Sequence, residues 1–271
     1  MKSFPAFGIL LGSRGKLQEL CAFLEANSGL PGPRANLDLV ASFATSVANM
    51  HLEEWQWDFL TGLAATSPNK APVNSSREFL PVCALVAMGA LYGTGLPRPR
   101  RRVALAALTA AASDPRWRVR EAAAMGLQQI GERNPEALRG IVTDWMAGAG
   151  PLQMRAIMAG LAHPPILRDR DFALFCLETA QAILGAVLRT GTDARKDDSF
   201  RVLRQGLSYA LSVFVAHLPA EGFLLMRKSA AVRDPDMARI IRENLKKKRL
   251  SDKFPKEVKQ VELIVDEANA R

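Results

Sequence analysis

Cysteine is scarce in this chain of 271 residues: only Cys21, Cys83 and Cys176 occur, and no C-x-x-C is present. An odd, widely spaced set excludes a disulfide framework, a zinc knuckle and a thioredoxin-like pair, and a reduced cytoplasmic setting is the expectation. Aromatics are few, at 7% with two tyrosines. An all-β sandwich would carry more Tyr, Thr, Val and Ile. Uninterrupted apolar runs are missing too. None approaches the roughly 20 residues that cross a bilayer, so no membrane contact is expected. The short run Phe4–Leu11 contains Pro5 and lacks a small-x-small cleavage site, which argues against a signal peptide.

Catalytic motifs are equally absent. There is no H-E-x-x-H, no G-x-S-x-G and no Walker loop, and His51, His163 and His217 stand apart. Gly93-Thr94-Gly95 is too short to cradle a phosphate and reads as a connector. Glu53-Glu54 reads as a helix start favoured by the macrodipole. The sequence therefore assigns no catalytic residue, no metal and no cofactor, and leaves the oligomeric state open.

What is present is apolar periodicity and positive charge. The chain is 48% hydrophobic and 23% charged, as in globular domains. Lys and Arg number 36 against 27 Asp and Glu, a formal net charge of +9. Residues 1–95 hold 6 basic and 7 acidic residues, whereas residues 96–271 hold 30 and 20. The positive excess thus lies wholly after the connector Gly93–Pro99, the candidate boundary between a helical region 1–95 and a basic region 96–271. Such asymmetry suits an acidic partner: nucleic acid or an acidic protein.

Apolar residues recur at helical spacing almost throughout, with Gly and Pro between the runs. Val119, Ala122, Ala123, Gly126, Leu127 and Ile130 make one stripe on a helix over 116–130. Asp114 and Pro115 mark its start and Gly131 its stop. Asn134-Pro135 and Asp234-Pro235 repeat the start signal, and Ser75 with Glu78 forms an expected capping box. The spacing predicts further helices, among them 77–92, 100–112, 170–189, 199–217 and 235–249.

A repeat underlies these helices. Arg120, Arg155, Arg204 and Arg239 each follow a short turn, at separations of 35, 49 and 35 residues. Two equal periods and one longer by 14 fit paired-helix repeats with an insertion at 170–198. Asp114, Pro115, Val119, Arg120 and Ala123 match the D-P-x-x-x-V-R-x-x-A signature, and Asp234, Pro235 and Arg239 match it in part. On these residues the region 97–250 resembles HEAT-repeat (armadillo-like) proteins. The resemblance implies an all-α, HEAT-like α-solenoid of about six stacked antiparallel helix pairs. It also implies a structural ladder in which Asp114, Arg120, Asp234 and Arg239 pair turn carboxylates with arginines. An extended stacked surface suits binding more than chemistry.

Two basic clusters are the candidate binding residues. Arg239, Arg242, Lys246 and Arg249 are spaced +3, +4, +3 on one predicted helix face, flanked by Lys247, Lys248 and Lys253. Arg100, Arg101 and Arg102, with Arg98, form the second cluster. Such stripes release counterions on meeting a phosphate backbone, or serve as a solvated cap. The expected role is a non-enzymatic binding scaffold. The alternative is DNA repair. In general design the chain is similar to bacterial alkylpurine DNA glycosylases built from HEAT-like repeats, with Asp114, Trp117, Asp144 and Trp145 as the available counterparts of an Asp/Trp site.

Overall fold

A computed structural model of the chain describes residues 7–270, so part of the N-terminal run read from Phe4 lies outside the described residues. The protein is all-α: no strand occurs among the described residues. Among the described residues fifteen α-helices follow one another. They are α1 (Phe7–Leu11), α2 (Leu17–Ala26), α3 (Leu37–Ala48), α4 (Glu54–Ala64), α5 (Phe79–Gly93), α6 (Arg98–Ala112), α7 (Trp117–Arg133) and α8 (Pro135–Met146). Then come α9 (Pro151–Leu161), α10 (Arg170–Arg189), α11 (Asp198–His217), α12 (Pro219–Ala230), α13 (Pro235–Leu245), α14 (Lys248–Ser251) and α15 (Pro255–Asn269).

Local chemistry explains most starts. Five of these helices, α8, α9, α12, α13 and α15, open on Pro, whose fixed φ suits the first turn. Asn134, Asp169 and Asp234 accept the N–H groups of Ala137, Phe172 and Met237 at 2.9, 2.7 and 2.9 Å. These bonds satisfy donors that the first turn leaves without partners.

Three expected signals turn out differently. Asp114 takes the Arg116 N–H at 2.8 Å and both ends of the Arg116 guanidinium, so α7 begins at Trp117. Gly131 does not stop α7, which runs on to Arg133 and ends where Asn134-Pro135 starts the next helix. The Ser75–Glu78 capping box does not form. Ser75 Oγ donates to Pro72 O, while Glu78 Oε2 accepts the Asn74 N–H and turns inward.

The chain divides into two compact units, the first ending at Leu138 and the second starting at Arg139, within α8. The charge change after residue 95 falls inside the first unit, because α6 and α7 pack with α5. In the first unit α3, α5 and α7 lie side by side, with α4 and α6 packed against them and each other. Helix α5 is apolar on all sides, and every residue from Phe79 to Leu91 is buried. Its crossing with α7 is close. A Cβ on Gly89 would clash with the Gly126 backbone, so position 89 needs glycine, whereas a Cβ on Gly126 would meet the Leu108 side chain.

The second unit repeats this scheme. Helices α9, α11 and α13 are neighbours, α10 and α12 pack on α11, and α15 closes over α12 and α13. The four spaced arginines, Arg120, Arg155, Arg204 and Arg239, fall on α7, α9, α11 and α13, the alternating members of the helix series. The 20-residue α10 is long and apolar enough to cross a membrane, a property that Arg170, Asp171, Glu178 and Arg189 hide from a search for uninterrupted runs. Half of its apolar window is buried.

Candidate functional site

The second unit carries the candidate site on its α11, α13 and α14 surface. Helix α13 ends at Leu245 rather than 249, and Lys247 is extended with ψ 126°. The turn brings the buried Leu250 into the core and breaks the single helical face expected for Arg239, Arg242, Lys246 and Arg249. Their fates differ. Arg242 pairs with Asp266 at 2.8 Å and Lys246 with Glu243 at 2.6 Å. The Lys246 hydrogen bond is the main reason the Glu243 carboxyl lies below its ordinary pKa range. Arg239 is exposed.

Arg249 instead swings onto α11. Its Nη2 donates to Tyr209 Oη at 2.6 Å, and its guanidinium lies over the ring, 4.7 Å from the centroid. Lys247 Nζ also lies over that ring, at 5.6 Å. Tyr209 is 52% exposed. It follows Arg201 and Gln205 along the exposed ridge of α11. Among the described residues Lys247, Lys248 and Arg249 form no salt bridge with a carboxylate, although Lys247 also helps to lower the Glu243 pKa, so positive charge gathers at the junction of α13 and α14.

Asn244 fixes this junction against α11. It is fully buried, its Oδ1 accepts the Ser212 N–H at 2.8 Å, and its Nδ2 donates to Leu207 O at 2.8 Å. Those two bonds straddle Tyr209 in sequence. One buried amide therefore sets the register that brings Lys247 and Arg249 to the ring.

In the other cluster Arg100 and Arg101 are spent on the fold. Arg100 donates to Leu52 O at 2.9 Å, pairs with Glu54 at 2.6 Å, and lies over Trp57 at 5.4 Å. Arg101 donates to Leu96 O at 2.6 Å and lies over Tyr92 at 5.9 Å. Arg102 is exposed.

The Asp and Arg residues named for the ladder have the following partners. Asp114 binds Arg116, which is only 2% exposed and also reaches Ala71 O. Arg120 donates to the carbonyl oxygens of Asp114 and Pro115 at 2.6 and 3.0 Å. Asp234 pairs with Arg195 at 2.7 Å rather than with Arg239. Arg195 also reaches Asp236 at 3.0 Å, and Arg204 of α11 meets the same Asp236 of α13 at 2.5 Å. The connection between adjacent helices thus runs through Arg204 and Asp236. Arg195, from the inserted loop, joins it.

A second feature lies in the first unit, a cleft of about 380 Å³ lined by Pro33, Leu37, Val82, Trp117, Arg118 and Met125 among others. Trp117 is 47% exposed there and carries the Arg118 guanidinium 4.4 Å from its ring. Behind it a closed polar ring holds the wall together. Arg118 donates to Gly32 O at 2.6 Å and to Glu78 at 3.3 Å. Glu78 accepts from Asn74 N, and Asn74 Oδ1 accepts from Gly32 N at 3.0 Å. Of the proposed Asp/Trp counterparts elsewhere, Asp144 is exposed and Trp145 is buried.

Burial raises the thiols of Cys83 and Cys176, the latter to about 12, which removes them as nucleophiles at neutral pH. Among the described residues no group of three or more His, Cys, Asp or Glu side chains could hold a metal ion. No family model matches the chain, and neither a curated protein nor a solved structure matches it.

Tyr209 and Lys247 join Arg249 in the candidate site that sequence spacing outlined. Tyr209 lies 40 residues from Arg249. The signal that could have found it was an aromatic residue on the polar ridge of an otherwise amphipathic helix.

Proposed function

We propose that the protein is a non-enzymatic binding scaffold of HEAT-like stacked helix pairs, and that its second unit docks the backbone of a nucleic acid. The observation that carries the reading is the gathering of Lys247 and Arg249 over the exposed Tyr209, with Lys248 between them in the chain. The alternating packing of α3, α5 and α7, and of α9, α11 and α13, supports the repeat. The period of the four arginines supports it as well. Charge asymmetry supports the ligand, since a phosphate backbone returns the most favourable free energy when cations displace its counterions.

The test is anisotropy of a labelled duplex of about 20 base pairs titrated at about 50 and about 200 mM salt. Tight binding at low salt that weakens steeply at the higher salt is expected. Replacing Lys246, Lys247, Lys248 and Arg249 together by Ala should abolish it. Binding to poly-glutamate in place of DNA would redirect the surface to an acidic protein. Lack of binding to any polyanion would remove the proposal.

A further inference from the structure

Resting on the reading above, we propose that the Tyr209 cluster grips phosphates and does not stack bases, so the site reads a nucleic-acid backbone without regard to sequence or strandedness. An aromatic residue in a basic surface ordinarily suggests a platform for an unpaired base. Here the ring is already engaged. Arg249 and Lys247 both lie over it, at 4.7 and 5.6 Å from its centroid, and the phenol oxygen is held by Arg249 at 2.6 Å. A base stacking on a face of the ring that these cations cover would displace charges that the same ligand needs.

Tyr209 is thus a positioning residue. It orders two long side chains that would otherwise lose conformational freedom on binding, which favours the bound state. A guanidinium has five N–H donors, and the Tyr209 bond uses one of those on Nη2, leaving a fork that matches two phosphate oxygens. Lys247 adds a point charge beside it. The neighbouring cations Arg242 and Lys246 are paired with Asp266 and Glu243, so at this junction Lys247 and Arg249 on the ring remain the more available to a phosphate. The turn after Leu245 is what makes this arrangement possible.

The experiment compares three probes on the full chain: a duplex DNA, an oligo(dT) single strand and inorganic polyphosphate. The proteins are wild type, Tyr209→Phe, Tyr209→Ala and the double variant Lys247→Ala/Arg249→Ala. Polyphosphate should displace the duplex at comparable phosphate concentration. The double variant should lower the slope of log affinity against log salt by about 2 on the duplex and somewhat less on oligo(dT). Tyr209→Ala should weaken all three probes by a similar factor. Tyr209→Phe, which keeps the ring's packing, should weaken them less and again uniformly, with an unchanged thermal melt.

A Tyr209→Ala loss confined to oligo(dT) would overturn the inference while leaving nucleic-acid binding intact. So would an unchanged salt slope in the double variant. Failure of wild type to bind any of the three probes would instead overturn the broader reading, and this one with it.

Discussion

The two units differ in where they leave basic side chains next to an exposed aromatic ring. In the first, three arginines are turned into the fold, while Arg77, Arg101 and Arg102 stay exposed. Arg116 and Arg118 are buried, and Arg100 closes onto a backbone carbonyl, a glutamate and an indole. In the second, Arg195 and Arg204 brace the helix stack through Asp234 and Asp236, while Lys247 and Arg249 remain at the surface on an exposed tyrosine. A run of positive charge in sequence therefore says little about availability. What decides it is whether a carboxylate or carbonyl lies within reach once the helices pack. The comparison also shows two ways to anchor a wall: a buried ion pair in the first unit, a neutral amide in the second.

The largest expected effect tests the first of these anchors. Glu78 is fully buried against Arg118, so Glu78→Ala leaves an uncompensated guanidinium and should cost about 3–5 kcal/mol by urea unfolding. Glu78→Leu with Arg118→Met should recover most of that loss. A Glu78→Ala loss below about 1 kcal/mol would erase the contrast between inward and outward arginines.

Next in size is Gly89→Ala, whose Cβ would meet the Gly126 carbonyl. A loss of about 2–3 kcal/mol is expected from the shift of α5 against α7. Asn244→Leu should cost about 1–3 kcal/mol, because it leaves Leu207 O and Ser212 N without their side-chain partner. It should also weaken DNA binding although Asn244 is buried. Equal binding by a folded Asn244→Leu protein would dissociate the anchor from the Tyr209 surface.

Smaller still is the effect of Arg100→Ala. Losing its exposed pair with Glu54 should cost about 1 kcal/mol or less and leave duplex affinity unchanged, in contrast to the double variant at Lys247 and Arg249. A matched fall in affinity would make the first unit part of the binding surface. Finally, thiol alkylation can follow the units separately. The half-exposed Cys21 should react first, although burial, aided by Glu25, raises its pKa. Cys83 reports opening of the first unit and Cys176 of the second. Simultaneous labelling under increasing denaturant would show that the two open together.

Much of the fold was legible because its signals are local. The proline starts after Asn134 and Asp234, the helix over 170–189 and the alternation of the four arginines all follow from neighbours within one or two turns. Partner choice was not. Glu78 had the spacing of a capping residue, yet its carboxylate is claimed by Arg118, which lies 40 residues away. Arg239, Arg242, Lys246 and Arg249 had the spacing of one helix face, yet Leu250 draws the chain inward after Leu245 and moves Arg249 to another helix.

The sequence by itself determined that the chain forms amphipathic helices joined by short turns, because periodicity, caps and prolines act over a few residues. It also placed the positive excess in the later part of the chain. Only the tertiary structure decided which charges are spent and which remain, since an ion pair depends on distances between helices that no spacing along the chain encodes. Lys247 and Arg249 reach Tyr209 only because α11 and α13 lie together with Asn244 between them.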